Sequence, residues 1–424
     1  MDKKVSCIKK GLNGTITIPA DKSISHRAVM FSSLAKGKSV IKNFSNGQDP
    51  LSTLNICKAL GVEGNFTSDS LIINSTGMLK PASIPLNCGN SGTTMRLMAG
   101  ILSGQNFNSV LIGDESLSKR PMKRIIEPLT LMGANIKSEN FKAPLEINGS
   151  KLSGIDYVSK IASAQVKSSI LLAGLFADGK TSVTEPYLSR NHSELMLSYM
   201  GADISVNGEK VTVKKSSLEP KTIEIPGDIS SAAYFIAAAL IVPNSEIILK
   251  NVGLNPTRTG IIDVVKRMGG NIEILDKYTV SNEIVGDIKI CSSELKACEI
   301  SGEDIPRLID EIPVIAVLAT QANGTTVIKN AEDLRNKESD RIAAIVTELG
   351  KLGANISETP DGMIIYGKTK LKGNAKLETY HDHRLAMSLY VAGLVCENEI
   401  LIKDFDWVNI SFPEFEKLFS RIIL

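Results

Sequence analysis

The chain has 424 residues, 43% of them hydrophobic and 22% charged, with 48 Lys and Arg against 46 Asp and Glu for a formal charge of +2. Such a length exceeds one ordinary core and predicts two domains of about 200 residues each. The near-neutral balance excludes a generally basic nucleic-acid binder, so any positive field has to be local.

In chain order, the start "MDKKVSCIKKGLNG" has no apolar core of the kind a secretory signal needs, and none is expected. The first helix is expected around residue 26, inside "DKSISHRAVMFSSLAKGKSV", followed by a β-branched run; the same succession returns at 93, 166, 230, 311 and 383. After each β-branched run comes a second helical segment. Four of these end on related phrases, "LMGANI" at 131, "YMGADI" at 199, "RMGGNI" at 267 and "KLGANI" at 351, with a weaker "ALGVEG" at 59. One unit reads helix, strand, helix, Gly, strand, strand. In phrases such as "LLAGLFADGKTSVTEP" and "VLATQANGTTVIKNAE" the Gly or Asn is expected to cap the first helix in the left-handed conformation. Six copies divide into two domains of three, the last ending in "FPEFEKLFSRI". The longest apolar run, at 232–242, has 11 residues and stops at Pro243, short of the roughly 18–20 that a membrane span requires. Cysteines at 7, 57, 88, 291, 298 and 396 form no CxxC pair and read as reduced, mostly buried small side chains. Periodicity by itself is equally that of an α/β solenoid scaffold.

The polar residues argue for more than a scaffold. "DKSISHR" at 21, "GNSGTTMR" at 89, "GDESLSKRP" at 113, "SAQVKSS" at 163, "SRNHSE" at 189, "NPTR" at 255, "LIDEIP" at 308, "RNKESDR" at 335 and "HDHR" at 381 fall at helix N-termini or between a strand and the second helix of a unit. Helix N-termini offer free N–H groups and the positive end of the dipole to an anion. Gly89 and Gly92 leave room for backbone to approach a ligand, and Arg27, Arg96, Arg120, Arg124, Arg190, Arg341 and Arg384 lie in or beside the phrases. Guanidinium reads phosphate and carboxylate in a fork, so the implied ligand is small and multiply anionic. Taken singly, each phrase is also an ordinary helix cap with a solvated charge, and Lys337, Glu338, Asp340 and Arg341 also read as a charged helix face worth only about 0.2–0.5 kcal/mol per pair. His381 and His383 invite a metal reading, but no third ligand with recognisable spacing accompanies them, and neither a metal nor a cofactor is expected.

In this order and over essentially the whole chain, the phrases resemble the 5-enolpyruvylshikimate-3-phosphate (EPSP) synthase family. "PADKSISHRA" is similar to the family's "PGDKSISHRA", with Ala20 for the usual Gly, and "GNSGTTMRL", "RPM", "KESDR" and "DHRLAM" follow; "SAQVK", "RNHSE" and "NPTR" resemble the class II branch. The resemblance implies an α/β (α+β) fold of two similar domains, each of three βαβαββ repeats, the inverse α/β barrel of enolpyruvyl transferases. It places the N-terminal domain at 20–227 and the C-terminal domain at 1–19 plus 228–424, with a hinge near 19–21 and 226–228 where "PxD" occurs twice, and domain closure on the substrates.

The implied reaction is transfer of the enolpyruvyl group of phosphoenolpyruvate to the 5-hydroxyl of shikimate 3-phosphate with release of phosphate, a step of aromatic amino acid biosynthesis. By motif match, Lys22, Gly92, Arg120, Gln165, Arg341 and Arg384 would hold phosphoenolpyruvate, and Lys22, Ser23, Arg27, Ser163, Arg190, Asp310 and Lys337 shikimate 3-phosphate. Asp310 would accept the hydroxyl proton, Glu338 would supply a proton to the methylene carbon, and Lys22 would shuttle one. A carboxylate among Arg and Lys is pulled toward the charged form, so Glu338 needs desolvation to act as a donor. One departure stands out: Ile410 takes the place of a Lys that many members carry before "FP". The resemblance further implies a cytoplasmic monomer with no nucleic-acid or membrane partner. A UDP-N-acetylglucosamine enolpyruvyl transferase is the alternative within the fold, disfavoured because "GDESLSKRPM" has no Cys. A phosphate-end or nucleic-acid-binding protein on similar repeats is disfavoured by 5% aromatic residues and separated arginines.

Overall fold

The computed structural model describes all residues, 1–424. It divides into two compact units, one of Met1–Pro19, Pro226–Tyr278 and Ile284–Leu424, the other of Ala20–Ile225 and Thr279–Glu283. Each unit has its own apolar core.

The unit around 20–225 contains three four-stranded sheets built alike. In the second, Leu86–Asn87 runs parallel to Asn108–Ile112, which pairs antiparallel with Leu145–Asn148 of a hairpin begun by Asn135–Lys137. The third uses Asp156–Val158, Lys180–Thr184, Lys210–Lys214 and Ile204–Asn207 in the same roles. The first repeat lacks a leading strand of its own, because the chain enters it from the other unit, and Thr222–Glu224 fills the place beside Lys36–Lys42. The unit holding both termini makes the reciprocal arrangement. Its first sheet takes Asn13–Thr17 as the parallel partner of Glu246–Gly253, the next uses Glu299–Ile300 with Gly324–Ile328, and the last has only three strands, with Lys3–Val5 antiparallel to Ile400–Ile402 where a repeat-closing strand belongs. The sixth copy therefore departs from the expected pattern: a 3-10 turn at Phe405–Ile410 and the helix Phe415–Ser420 replace its hairpin.

Three helices at the centre of each unit are buried nearly all round, as their continuous apolar and small residues require: Lys22–Leu34, Gly92–Ser103 and Ala164–Gly174 in one, Ile229–Ile241, Ile312–Gln321 and His383–Gly393 in the other. Close approach is specified locally. A Cβ on Gly100 would stand 2.2 Å from the Ser169 carbonyl of the neighbouring helix. The second helices, such as Lys123–Leu131, Gly260–Arg267 and Arg341–Lys351, keep one polar face.

Expected and observed caps differ in one respect. Helices Lys22–Leu34 and Ile312–Gln321 end on Ala35 and Ala322 in extended conformation, and the positive-φ Gly37 and Gly324 lie in the strands that follow. Turning directly into a strand leaves no room for a left-handed cap. The "MGA"-type phrases do cap: Gly133, Gly201, Gly269 and Gly353 take positive φ one residue after the helix cap. No helix is long and apolar enough to cross a membrane.

Candidate active site

The buried helices carry the polar phrases at their N-termini, so the repeat itself delivers site residues to one end of each unit. In the 20–225 unit, Asp21 caps Lys22–Leu34 by accepting the Ile24 N–H at 2.8 Å. Lys22 follows at once, its Nζ donating to Asp49 Oδ2 at 3.0 Å. A turn later Arg27 is buried and held on three sides: Nε donates to Ser193 Oγ (2.7 Å), Nη1 to the Ser23 carbonyl (2.9 Å) and Nη2 to Ser168 Oγ (2.9 Å). Burial lowers its pKa to about 10, still a cation at neutral pH. His26, between them, donates to or accepts from Thr53 Oγ1 at 2.7 Å, while its Nε2 is buried without a partner. Burial drives its pKa to about 3, so it is a neutral packing group.

A second cluster joins the next two helices. Arg120 Nη2 donates to Asn90 Oδ1 at 2.7 Å, and Arg96 Nη1 to Gln165 Oε1 at 2.7 Å, with Gln165 Nε2 donating to Thr93 Oγ1 at 3.0 Å. Gly92 lies between the two guanidinium groups: a Cβ there would sit 2.7 Å from Arg96 Nη1 and 3.6 Å from Arg120 Nη1. Ser163 caps Ala164–Gly174 without using its side chain, and its N–H donates to Glu185 Oε1 at 2.8 Å. Arg190 is half-buried, just before the helix His192–Tyr199.

In the unit with the termini, Asp310, Glu338, Arg341 and Arg384 come together. Arg341, 1% exposed, places Nη1 3.3 Å from Asp310 Oδ1 and Nη2 2.5 Å from Glu338 Oε2. Its Nε and Nη2 also donate to the two oxygens of Asp382, at 2.7 and 3.2 Å. Arg384 Nη1 donates to the Asp310 carbonyl at 3.3 Å, and Nη2 stands 3.6 Å from Asp310 Oδ2. Burial opposes the charge on Arg341, but Asp382 and Glu338 outweigh it and raise its pKa; Arg384 is raised in the same way, against burial, chiefly by Asp310. Asp382, also buried, titrates below the carboxylate range because Arg341 outweighs its desolvation. A further layer backs Asp310: its neighbour Glu311 accepts from Ser230 Oγ, which accepts from Arg258 Nη2 at 2.7 Å. Lys337 does not join the cluster through its amine, which pairs with Asp333 at 2.9 Å. Ile410 ends the turn that carries Trp407, which stacks on His381 with ring centroids 4.7 Å apart. No group of three or more His, Cys, Asp and Glu side chains could hold a metal ion.

Sequence reasoning did not single out Asp49, Glu185, Asp382 or Glu311. Asp382 was within reach, as the acidic residue before a helix in "HDHR"; Asp49 and Glu185 sit in stretches with no signal beyond one carboxylate, and only folding brings them to Lys22 and Ser163.

The arrangement is a pair of cation-rich surfaces, one of which also carries two carboxylates within reach of the same guanidinium: equipment for holding small anions and moving protons beside them. Comparison with known proteins gives the family. The model of the family described as EPSP synthase (3-phosphoshikimate 1-carboxyvinyltransferase) matches residues 7–419. A 3-phosphoshikimate 1-carboxyvinyltransferase of Thermoanaerobacter sp. is 55% identical over 418 residues, 98% of either chain, and that of Petrotoga mobilis is 51% identical over 423 residues, 97% of this chain and 98% of its own. The solved EPSP synthase from Acinetobacter baumannii superposes with a TM-score of 0.89 at 41% identity, covering 100% of this chain and 98% of that one. The enolpyruvyl transferase NikO from Streptomyces tendae, 15% identical with a TM-score of 0.81 over 99% and 96% of the chains, shares the fold. On a full-length family match and relatives more than half identical, this chain belongs to the EPSP synthase family.

Proposed function

We propose a division of labour among the residues above for the reaction of this family. The chain is a transferase of the shikimate pathway: it moves the enolpyruvyl group of phosphoenolpyruvate to the 5-hydroxyl of shikimate 3-phosphate and releases inorganic phosphate. The observation that carries the residue assignment is the Asp310–Arg341–Glu338 contact set, in which one buried cation touches both carboxylates.

In the assignment, Arg120, Gln165, Arg341 and Arg384 bind the carboxylate and phosphate of phosphoenolpyruvate, with Gly92 holding no side chain where Arg96 and Arg120 close in. Ser23, Arg27, Ser163, Arg190 and Lys337 hold shikimate 3-phosphate. Asp310 takes the proton of the 5-hydroxyl as its oxygen bonds to C2 of phosphoenolpyruvate. Glu338 delivers a proton to C3, turning methylene into methyl. In the tetrahedral adduct the C2–O bond to phosphate then breaks, releasing phosphate, and loss of a C3 proton, with Lys22 as shuttle, restores the C2–C3 double bond as the enol ether product. Arg341 supports this reading. While it grips Glu338 at 2.5 Å it favours the carboxylate; an anion that draws its Nη2 away loosens Glu338 and lets the site's dryness favour the protonated acid.

The test is phosphate release from phosphoenolpyruvate with and without shikimate 3-phosphate. Acceptor-dependent release is expected, and Lys22→Ala and Asp310→Ala each lower turnover at least about a hundredfold; near-normal turnover in either removes that residue from its role. Substrate-dependent compaction in solution scattering tests the proposed hinge near 19–21 and 226–228. We place the protein in the cytoplasm, where six free cysteines would stay reduced, and as a monomer, which sedimentation at the mass of one chain checks.

A further inference from the structure

Lys167 belongs to "SAQVK" but has no part in the chemistry above, and its surroundings are unusual. It lies on Ala164–Gly174, one turn beyond Ser163, with its side chain 2% exposed. Nζ is 2.8 Å from Glu185 Oε2 and 2.8 Å from Glu194 Oε1, and donates to the Ser189 carbonyl at 3.4 Å. Both glutamates are buried too. Burying three charges is expensive, and apolar residues of the same volume often give an equally stable core; stability alone does not account for the arrangement.

The hydrogen bonds show where it leads. Glu185 Oε1 accepts the Ser163 N–H at 2.8 Å, and Oε2 accepts the Ser189 N–H at 3.3 Å and Ser189 Oγ at 2.7 Å. One carboxylate therefore joins the residue that opens the Ala164–Gly174 helix to the residue preceding Arg190. Because the Ser163 N–H is taken this way and its hydroxyl makes no cap bond, the hydroxyl is left for a ligand. Glu194, one turn from Arg190, is the strongest source of negative potential acting on buried Arg27, and its Oε2 has no partner.

We propose that Lys167, clamped between Glu185 and Glu194, is a positioning residue that sets Ser163, Arg190 and Arg27 in register for shikimate 3-phosphate. The proposal rests on the assignment of those three residues to that substrate. Lys167 touches neither substrate; it fixes the two carboxylates, and they fix the loops. Loss of its charge leaves Glu185 and Glu194 to repel one another across the space it occupied, and the two loops separate.

The experiment varies each substrate in turn with the full-length protein, for Lys167→Met, Glu185→Gln and Lys167→Arg, together with thermal unfolding. Lys167→Met is expected to raise KM for shikimate 3-phosphate about tenfold or more while KM for phosphoenolpyruvate stays within about twofold. Lys167→Arg, which keeps the charge, recovers most of the loss. Glu185→Gln keeps the volume and one acceptor, and is decisive by itself where Lys167→Met does not fold: the same selective rise in KM is expected. Unchanged KM values, or a parallel rise in both that merely follows lowered thermal stability, overturn the proposal. Absence of acceptor-dependent phosphate release in the unmodified protein is a separate failure, that of the functional assignment; activity in the unmodified protein with unselective variants is a failure of the Lys167 proposal alone.

Discussion

Replacing Asp382 tests how Arg341 is kept in place. Asp382 is fully buried, and its two oxygens receive Arg341 Nε at 2.7 Å, Arg341 Nη2 at 3.2 Å, Ser339 Oγ at 3.1 Å and the Arg384 N–H at 2.9 Å. Asp382→Ala removes two of the bonds on a guanidinium that is 1% exposed and leaves it to Glu338 and Asp310, and breaking a buried pair by removing one partner costs about 3–5 kcal/mol. For a unit of this size, with about 2–4 °C per kcal/mol, the melting temperature should fall by about 6–20 °C. Asp382→Asn keeps the volume and an acceptor for the Arg384 N–H but not the charge, so its loss is smaller. In both variants Arg341 leans further onto Glu338 and Asp310, the groups it has to release in the proposed mechanism. The expected outcome in steady-state assays is therefore a raised KM for phosphoenolpyruvate and a lowered kcat, with KM for shikimate 3-phosphate little changed. An Asp382→Asn protein with unaltered melting temperature and unaltered KM for phosphoenolpyruvate refutes the reasoning.

His26 has a folded pKa of about 3 against 6.5 when solvated, because burial disfavours its cation. The unfolded chain binds the extra proton, so the stability tied to a neutral His26 is present above pH 6.5 and lost as pH falls toward 3, by about 2 kcal/mol at pH 5. Urea unfolding at pH 7 and pH 5 should show that difference shrink in His26→Gln; an equal acid loss in both proteins removes His26 as its source. Gly92→Ala puts a methyl 2.7 Å from Arg96 Nη1, which Gln165 holds in place, so KM for phosphoenolpyruvate should rise more than KM for shikimate 3-phosphate. Equal effects on both would place Gly92 outside that subsite.

The repeat was legible because five of the six copies write their punctuation twice, a buried apolar helix opened by polar residues and a second helix closed by Gly with positive φ. Asn13–Thr17 and Thr222–Glu224 show what periodicity alone misses, although the family resemblance places 1–19 with the later domain. Each looks like the leading strand of what lies nearest in sequence or like a linker, yet pairs with Glu246–Gly253 or Lys36–Lys42; only the sheet's need for a parallel partner assigns it. The hairpin tip at 279–283 groups with the 20–225 unit for a similar reason. Ser281 Oγ accepts the Glu224 N–H, and Glu283 meets buried His192 at 2.6 Å, contacts between residues over fifty positions apart. Cations of the site were legible because Arg and Lys at helix starts are conspicuous. Their counter-groups were not: a lone Asp or Glu, such as Asp49 or Glu185, becomes informative only when its partner's position is known.

Those counter-groups explain a difference between the two surfaces. The bonds that fix Arg27 run to hydroxyls and a carbonyl, and those from Arg96 and Arg120 to Gln165 and Asn90 run to amides. Neutral acceptors orient a guanidinium without cancelling its charge; on the same surface Lys22 is held by the carboxylate of Asp49. Arg341 and Arg384 instead lean on Asp310, Glu338 and Asp382. An anion can bind them only by competing with carboxylates, and each contact it wins releases one. The surface with exchangeable partners is the one that holds the proton-handling groups. On the proposed assignment, an anion that binds Arg341 and Arg384 frees Asp310 to act as a base and Glu338 to act as an acid, so binding and proton handling are coupled at this surface.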